Sequence, residues 1–194
     1  EVIAGPNAGA SGFAVADTNG EATFTYTAAQ GLAGLGTDTI EACFSDEQGD
    51  EVCDTATKDW VDTTPPEPLC PETVNPSGKK IPPAGSTTLP GAKGGQNEEG
   101  FYELIATDLV DPNPQIFVVD TGSGMVFGPF VSGTKIKYTE DPSATPEQKK
   151  IGSSKGQAGA IDWHIIGNGD AILKAVDYSG NEATAPCLVP PPPK

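Results

Sequence analysis

Apolar and polar residues alternate over short runs along most of the chain, which is the period-two pattern of half-buried β-strands. Phe24 and Tyr26 share one face between threonines, and Tyr102 and Leu104 share one face of a later run. Strand-like runs cover 39–44, 101–107, 115–120, 125–131, 134–139, 161–166 and 170–176. Because glycine- and proline-rich segments separate these runs, the pattern predicts an all-β fold of short strands joined by turns.

A first hairpin is predicted around Asn19-Gly20, because this dipeptide suits the tight turns that join antiparallel strands. Phe13 and Val15 alternate before the turn, and residues 22–27 alternate after it. The pattern therefore predicts two paired strands with one buried face.

A second hairpin is predicted over 39–56, with residues 47–49 at its tip. If Cys43 faces Cys53, the other opposed pairs are Phe44 with Val52 and Ile40 with Ala56. In this register the apolar residues share one face, which is expected to be buried, and the two cysteines lie on the outward face.

The four cysteines are expected to form disulfides rather than a metal site. The chain has no C-x-x-C pair and a single histidine, whereas a zinc site needs clustered ligands. Directly opposed strand residues lie within disulfide reach, so Cys43–Cys53 is the expected pair. Pairing of these residues with Cys70 or Cys187 is the alternative. Disulfides indicate an oxidising compartment.

Residues 62–71 interrupt the strand pattern with Pro65, Pro66 and Pro68. Proline fixes φ and has no backbone donor, so this stretch is expected to lie outside any sheet or helix. It predicts a semi-rigid joint between two domains, 1–61 and 62–189. A Pro-rich tail follows at 190–194.

Two sets of motifs resemble immunoglobulin-like domains. The segments GPNAG at 5–9, TNGEATFTY at 18–26 and GTDTIEA at 36–42 together resemble bacterial immunoglobulin-like domains of the invasin/intimin type. The opening DTTPP at 62–66, the strand FVSGTKIKYT at 130–139 and the close AVDYSGN at 175–181 resemble a hyalin-repeat type immunoglobulin-like domain. The resemblance implies two tandem immunoglobulin-like β-sandwich domains.

The second domain is expected to be tied end to end and to carry one insertion. Cys70 begins its first strand and Cys187 ends its last, so a bridge between them joins its termini. Residues 141–160 depart from the family pattern as an insertion. Within it, the helix-start residues TPEQ at 145–148 predict one helical turn, and the Gly/Ser/Lys-rich residues 152–159 predict a mobile loop.

The first domain is expected to lack its N-terminal strands. Residues 1–61 supply about four strands, whereas an immunoglobulin-like sandwich needs roughly seven. An apolar face and a strand edge are then left uncovered, which is a template for strand addition. Either the parent chain supplies strands before Glu1, or another copy or partner supplies them.

The charge balance excludes several classes of partner. The chain carries 27 acidic and 11 basic residues, all of the latter lysine, for a net charge of -16. Such a chain repels nucleic acid and anionic membranes, and it has no arginine for bidentate phosphate recognition. No apolar run is long enough to cross a bilayer as a helix.

No residue set predicts catalysis or a cofactor. His164 alternates with strand residues and has no paired nucleophile in the sequence pattern, so it is interpreted as structural. The acidic groups around 46–51, around 108–113 and at Asp59 and Asp62 fit no calcium-loop spacing and are interpreted as solvated loops. The aromatic residues Tyr102, Phe117, Phe127 and Phe130 are expected to be mostly core rather than a sugar-binding platform.

The resemblance therefore implies a non-enzymatic, extracellular structural or adhesive module of a bacterial surface or secreted protein. Its expected partners are neighbouring immunoglobulin-like domains or copies of itself, with a protein or glycan ligand possible. The first alternative is a spacer or carbohydrate-binding accessory domain of a secreted enzyme. The second is a subunit of an extracellular filament assembled by donor-strand exchange.

Overall fold

The computed structural model describes residues 1–71, 98–151 and 161–187. Within these ranges the chain forms twelve β-strands, one short 3₁₀ turn at Gly31–Gly34 and no α-helix. The predicted all-β class is confirmed. No helix in this part of the chain is long and apolar enough to cross a membrane. The chain divides into unit 1, Glu1–Thr63, and unit 2, Thr64–Lys194.

Unit 1 contains one antiparallel sheet of three strands in the order β1-β2-β3. The strands are β1 (Val2–Ala4), β2 (Gly36–Ser45) and β3 (Glu51–Trp60). In the β2–β3 hairpin Cys43 lies opposite Cys53, Phe44 opposite Val52 and Ile40 opposite Ala56. The register predicted from the sequence is confirmed, because residue alternation and the turn at its tip permit few other pairings.

The first predicted hairpin is partly wrong, because its turn forms but its two strands do not. The turn itself forms, since the Gly20 N–H donates to the Asp17 carbonyl at 3.0 Å and Asp17 pairs with Glu21. However, residues 10–17 and 21–29 form no strand, and the Phe13 side chain is 97% exposed. An isolated two-stranded ribbon is marginally stable without a layer to pack against. Unit 1, all of which is described, contains no second sheet for these residues.

The burial of the hairpin face predicted from alternation alone is wrong, and the face is uncovered, as the expected lack of a complete opposing sheet implies. Phe44 is 64% exposed and Val52 is 42% exposed, and the cysteines on the other face are exposed as well. Both faces of the hairpin tip therefore meet solvent. Alternation gives the sidedness of a strand correctly, but it does not say whether a second layer covers the apolar side.

Unit 2 contains two sheets in its described residues. The strands are β4 (Glu67–Leu69), β5 (Glu98–Thr107), β6 (Gln115–Asp120), β7 (Val126–Phe130), β8 (Thr134–Glu140), β9 (Glu147–Lys150), β10 (Trp163–Gly167), β11 (Ala171–Val176) and β12 (Glu182–Cys187). One sheet has the order β4-β5-β8-β10-β9 and the other β12-β11-β6-β7. The β8–β10 pair is parallel, and the other neighbours are antiparallel.

The core of unit 2 combines side chains from both sheets, as in a β-sandwich. From the five-stranded sheet come Tyr102, Leu104, Ala106, Ile136, Tyr138 and Ile165, and from the four-stranded sheet Ile116, Val118, Leu173 and Ala175. The faces predicted from alternation in 101–107 and 134–139 are the buried ones.

Two segments form strands where the sequence predicts otherwise. Glu67–Leu69 pairs with β5 although Pro68 lies opposite Ala106. Proline is tolerated there because β4 is the edge of its sheet. Glu147–Lys150 pairs with β10 instead of forming a helical turn, so tertiary pairing overrides the local helix-start signal. The predicted loop at 152–159 and the tail at 190–194 lie outside the described residues.

The Cys70–Cys187 disulfide joins the two sheets of unit 2. Cys70 follows β4 in the five-stranded sheet, and Cys187 is the last residue of β12 in the four-stranded sheet. The two Cα atoms are 5.2 Å apart, and 117 positions separate the residues in sequence. The bridge therefore closes almost the whole unit as one covalent loop.

A buried carboxylate links the loops at one end of the unit 2 core. Asp120 ends β6 on the inward side after Ile116 and Val118, and it is fully buried. Its Oδ1 accepts the Tyr138 hydroxyl at 3.0 Å and the Gly169 N–H at 2.8 Å. Its Oδ2 accepts the N–H and the hydroxyl of Ser123. One side chain thus joins β6, β8 and the β10–β11 turn.

These contacts control two pKa values. Burial raises the pKa of Asp120, but the hydrogen bonds from Ser123, from the 168–169 backbone and from Tyr138 outweigh burial, and the pKa lies below its ordinary value. Burial, followed by the charge and hydrogen bond of Asp120, raises the pKa of Tyr138. The pair is therefore a neutral phenol donating to an ionised carboxylate over the ordinary pH range.

Removing the Tyr138 hydroxyl tests this link. In Tyr138→Phe the charged acceptor loses one donor, and we expect the free energy of unfolding to fall by about 2 kcal/mol. Guanidinium denaturation followed by Trp163 fluorescence measures it. The matched control is Tyr178→Phe, whose ring is 79% exposed and which should change stability by less than about 0.5 kcal/mol. Equal losses in the two variants would contradict the assigned role.

The two disulfides should differ in their effect because they close loops of different length. The residue separations are 10 for Cys43–Cys53 and 117 for Cys70–Cys187. In the chain-entropy treatment, double Cys→Ala substitution should cost about 2.5–3 kcal/mol for the short loop and about 4.5–5 kcal/mol for the long one. Denaturation monitored at Trp60 for the first pair and Trp163 for the second gives both values. A larger loss for the short loop would overturn this expectation.

Candidate binding surface

The β2–β3 hairpin of unit 1 carries the candidate surface. Alternate residues of a strand share a face, so Asp38, Phe44, Val52 and Trp60 lie on one side of the sheet. Phe44 and Val52 lie next to the β2–β3 turn, which is the tip of the hairpin. Asp38 and Trp60 lie at the other end of the hairpin, which we call the closed end because other residues cover it. We call Phe44 and Val52 the open patch, because both are exposed apolar side chains on the same face.

The Asp38 carboxylate organises the closed end. It is fully buried, and its Oδ1 accepts the Asn7 N–H at 3.0 Å. Its Oδ2 accepts the Asn7 side-chain amide at 2.8 Å, the Trp60 indole N–H at 2.8 Å and the Tyr26 hydroxyl at 3.1 Å. Asn7 continues the network by accepting the Ala29 N–H at 2.7 Å. These bonds attach the irregular segment 5–30 to the sheet.

The donors hold Asp38 in its charged form. Burial raises the pKa of Asp38, but the hydrogen bonds from Asn7, Trp60 and Tyr26 together outweigh burial, and the pKa lies below its ordinary value. Burial, and then the neighbouring carboxylate, raises the pKa of Tyr26. The closed end is therefore built around an ionised carboxylate and neutral donors at neutral pH.

Aromatic side chains of the segment 5–30 also pack on the closed end of the sheet. The Phe24 ring stacks on Tyr26 with 5.7 Å between centroids, and the Tyr26 ring meets Trp60 edge-on at 5.6 Å. The segment 5–30 thus covers the sheet at the Asp38 end and stops before the tip. The open patch remains because this cover is tied to Asp38 and does not extend to Phe44.

The outer edge of β3 is the second feature of this surface. β3 is the last strand in the sheet order, and Glu51 to Asp59 are exposed throughout. The Cα atoms of Cys43 and Cys53 are 4.1 Å apart, which marks a pair that is not hydrogen-bonded across the ladder. Cys53, Thr55, Thr57 and Asp59 therefore point their backbone N–H and C=O groups away from β2.

Two further hydrogen bonds agree with this assignment of outward-pointing backbone groups to the odd-numbered residues of β3. The Thr55 N–H donates to the Asp54 Oδ1 at 2.8 Å instead of joining the ladder. On the opposite edge, the Glu41 N–H, which belongs to the residue paired with Thr55, donates to the Glu1 carbonyl at 2.8 Å. The pairing of β3 with β2 therefore determines which backbone N–H and C=O groups of β3 point outward.

The structure places the four cysteines in two disulfides, Cys43–Cys53 and Cys70–Cys187. These are the two pairs favoured by the strand register and by the end-to-end arrangement. Glu41 lies beside the first disulfide, and its carboxylate and the two sulfurs fall within 4.8 Å of one another. Because both sulfurs are joined, they do not provide thiolates for a metal.

His164 lies in β10, and its Nε2 is 2.9 Å from the Thr139 hydroxyl. Thr139 is buried in β8, so its oxygen has no open approach for a substrate. A nucleophile must reach its substrate to act. This contact therefore fits a structural role for His164, as the sequence predicts.

The acidic group at 108–113 is a folded loop and not a solvated one. The Asp108 Oδ1 accepts the Val110 and Asp111 N–H groups at 2.8 and 2.6 Å. Asp111 is buried and accepts the N–H groups of Asn113 and Tyr178, at 2.9 and 2.8 Å. The predicted solvated loop is wrong for Asp111, because its carboxylate substitutes for missing backbone partners.

The other acidic groups lie on the hairpin and after it. Asp46 begins the β2–β3 turn, where its Oδ1 accepts the Gln48 and Asp50 N–H groups at 2.9 Å each. Asp59 accepts the Thr37 hydroxyl at 2.6 Å, and Asp62 follows β3 outside any strand. Asp46 therefore fixes the local backbone of the turn, whereas Asp62 is buried, so the predicted solvated loop is wrong for Asp62 as well.

The aromatic residues considered as a sugar platform are mainly core. Tyr102, Phe127 and Phe130 are buried, and Phe117 is half-buried on β6. Phe13, Phe24 and Phe44 are the exposed phenylalanines of unit 1, in segments that the sequence predicts to be paired or covered.

The sequence interpretation missed Asp38 and Asp120, although a signal was present. Each aspartate occupies an inward position in a run of alternating apolar residues, Asp38 before Ile40 and Asp120 after Val118. A charged residue in such a position is rare unless it is fully hydrogen-bonded. The alternation alone does not reveal which distant donors supply those bonds.

The pH response of Trp60 tests the Asp38 network. Since the folded-state pKa of Asp38 is lowered, its contribution to stability is present above the unfolded value and is lost as pH falls through the lowered value. We expect the Trp60 indole N–H resonance to stay constant down to about pH 3.8, the ordinary value, and to move below it. Trp163 is the internal reference, and in Asp38→Asn the movement should vanish. A midpoint above 3.8 would contradict the network.

Comparison with protein-family models, with curated proteins and with solved structures gives no match to this chain.

Proposed function

We propose that this chain is a non-enzymatic structural or adhesive module of a bacterial surface or secreted protein, working outside the cell. The observation that carries the proposal is the open patch, an exposed apolar pair on a hairpin whose geometry is held by a disulfide at one end and by Asp38 at the other. A rigid, partly uncovered sheet is suited to contact with another macromolecule.

The covalent cross-links support an extracellular location. Both disulfides join residues that the fold has already brought together, and no cysteine in the described residues is free. Such bonds persist in oxidising compartments and are rare in the cytosol. The absence of arginine and the net charge of -16 also disfavour nucleic acid as a partner.

The motif resemblance supports the same class of protein. The invasin/intimin-type motifs lie in unit 1, and the hyalin-repeat-type motifs lie in unit 2 apart from Asp62 and Thr63, which end unit 1. In unit 2 the β-sandwich and the end-to-end disulfide are features expected of such a domain. Adhesive and spacer roles are the functions that this resemblance implies.

Retention on surfaces tests the adhesive role. Beads carrying the 194-residue chain should be retained on cell monolayers, and Phe44→Asp should reduce retention about tenfold, because it places a charge in the apolar contact. The matched control is Leu109→Asp, which changes an 87% exposed apolar residue of unit 2 in the same way. Equal retention of both variants and the parent would overturn the role of the open patch.

A glycan array separates the adhesive role from the carbohydrate-binding alternative. Binding of the chain to defined glycans, lost on Phe13→Ala or Phe44→Ala, would replace the proposal by an accessory carbohydrate-binding domain. Retention on cells without glycan binding supports a protein contact. Circular dichroism and non-reducing peptide maps of each variant show that the disulfide-bonded fold is intact.

A further inference from the structure

Among the described residues, the β3 edge is long and lacks the usual protection of an edge strand. β3 has ten residues, contains neither proline nor glycine, and has a single lysine, Lys58. Natural sheet edges are usually shortened, bulged, rich in lysine or covered, because open backbone groups invite another strand. The backbone groups of Cys53, Thr55, Thr57 and Asp59 face outward here, so β3 is ready for strand pairing.

Because only the odd-numbered residues of β3 point their backbone groups outward, a second β3 can pair with it only in certain registers. In an antiparallel ladder, a residue with outward-pointing backbone groups must lie opposite another such residue. Two copies of β3 therefore pair only in registers that set odd-numbered residues opposite odd-numbered ones. In these registers the even-numbered side chains of both copies also share one face.

Charge selects one register from this set. Lys58 is the only cation in β3, and Asp54 is the only anion on the same face of the strand. Antiparallel pairing centred on Ala56 places Lys58 of each copy opposite Asp54 of the other. The neighbouring registers lose this pair. A centre at Thr55 places Lys58 opposite Val52, and a centre at Thr57 places Lys58 opposite Ala56. A centre at Asp54 or at Lys58 places two like charges opposite each other.

The remaining pairs in the Ala56-centred register are also compatible. Val52 lies opposite Trp60, which is an apolar β-branched and aromatic pair, and Thr55 lies opposite Thr57. No like charges are directly opposed within the strand. Because the register is symmetric about Ala56, each favourable pair occurs twice, as a two-fold contact between identical surfaces requires.

We propose that the β3 edge pairs antiparallel with the β3 edge of a second copy, centred on Ala56, to form a six-stranded sheet from two three-stranded ones. On pairing, the Thr55 N–H donates to the carbonyl of Thr57 in the second copy instead of to the Asp54 carboxylate. The Asp54 carboxylate can then pair with Lys58 of the second copy. Val52 of the open patch lies in this contact and Phe44 on β2 does not, so the Phe44 variant of the adhesive test and the charge variants below test the two proposals separately.

The net charge of -16 opposes association of two copies at long range, and salt screens that repulsion. The experiment is therefore done with the full 194-residue chain at 150 mM salt. Sedimentation equilibrium should show a reversible increase from the monomer mass of 19.9 kDa to twice that mass. A chain that stays monomeric up to millimolar concentration overturns the proposal.

Charge exchange identifies the register. Lys58→Asp and Asp54→Lys each oppose like charges twice, and each should weaken dimerisation about tenfold or more. The double variant Asp54→Lys/Lys58→Asp restores both pairs and should dimerise like the parent chain. A mixture of the two single variants should form the mixed dimer, because each then supplies what the other lacks. Dimers unaffected by the single variants overturn the proposed contact.

The backbone pairing has its own test. Thr55→Pro removes an N–H that the β2–β3 ladder does not use, so the hairpin is kept while the pairing with a second copy loses a donor. Dimerisation should weaken, and the Trp60 indole resonance, which reports the Asp38 network, should remain in place. Loss of that resonance would show unfolding, and the double charge variant then decides the question.

Zero-length cross-linking provides a direct reading. Within one chain Lys58 and Asp54 are about 13 Å apart along the strand, too far for an amide bond between their side chains. A carbodiimide-induced Lys58–Asp54 link therefore forms only between copies. Its presence, in a mixture of isotopically labelled and unlabelled chains, supports the Ala56-centred register, and a link between other residues at equal dimer yield contradicts it.

Discussion

A buried carboxylate requires a full set of donors, and in each unit of this protein one such carboxylate links segments that are distant in sequence. An ionised group without partners costs several kcal/mol in a protein interior, so the chain must bring donors to it from distant positions. In unit 1 Asp38 collects Asn7, Tyr26 and Trp60, and in unit 2 Asp120 collects Ser123, Tyr138 and Gly169. Trp60 and Tyr138 lie in strands, whereas Asn7, Tyr26, Ser123 and Gly169 lie in irregular segments, which have a defined position because their donors satisfy the carboxylate. The strands supply the apolar core of unit 2, whereas the aspartates attach connecting segments to the sheets.

Local residue patterns account for the parts of the fold that depend on strands and turns. The β2–β3 register follows from alternation and turn position, and alternation also gives the buried faces of β5 and β8. Three turns also share one device, in which an aspartate accepts nearby N–H groups and a glycine with φ near +85° closes the turn: Asp17 with Gly20, Asp46 with Gly49, and Asp177 with Gly180. Such signals are contained within five residues and can be read without knowing the rest of the chain.

The parts that sequence reasoning missed depend on what lies across space. Phe44 and Phe13 carry the apolar pattern of covered residues, but coverage needs a second layer that unit 1 does not contain. Residues 147–150 carry a helix-start pattern, but an available edge of β10 outweighs a single helical turn. The donors of Asp38 come from positions 7, 26 and 60, and no periodicity relates them. The sequence predicts an uncovered apolar face and an open strand edge in the first domain, but only the sheet order shows that the face includes Phe44 and Val52 and that β3 is an edge strand.

The Cys70–Cys187 bridge also determines how unit 2 responds to mechanical force. A pull applied to the chain before β4 and after β12 reaches the disulfide before it reaches the ladders between these strands, because the bridge joins the two ends of the unit. The intervening 117 positions, which could otherwise extend by roughly 400 Å, are withheld from extension while the bond is intact. Load is carried by a covalent link instead of by hydrogen bonds that would break in sequence. A protein held between two anchoring points would thus keep a nearly constant length across unit 2, and reduction of one bond would convert it into an extensible tether.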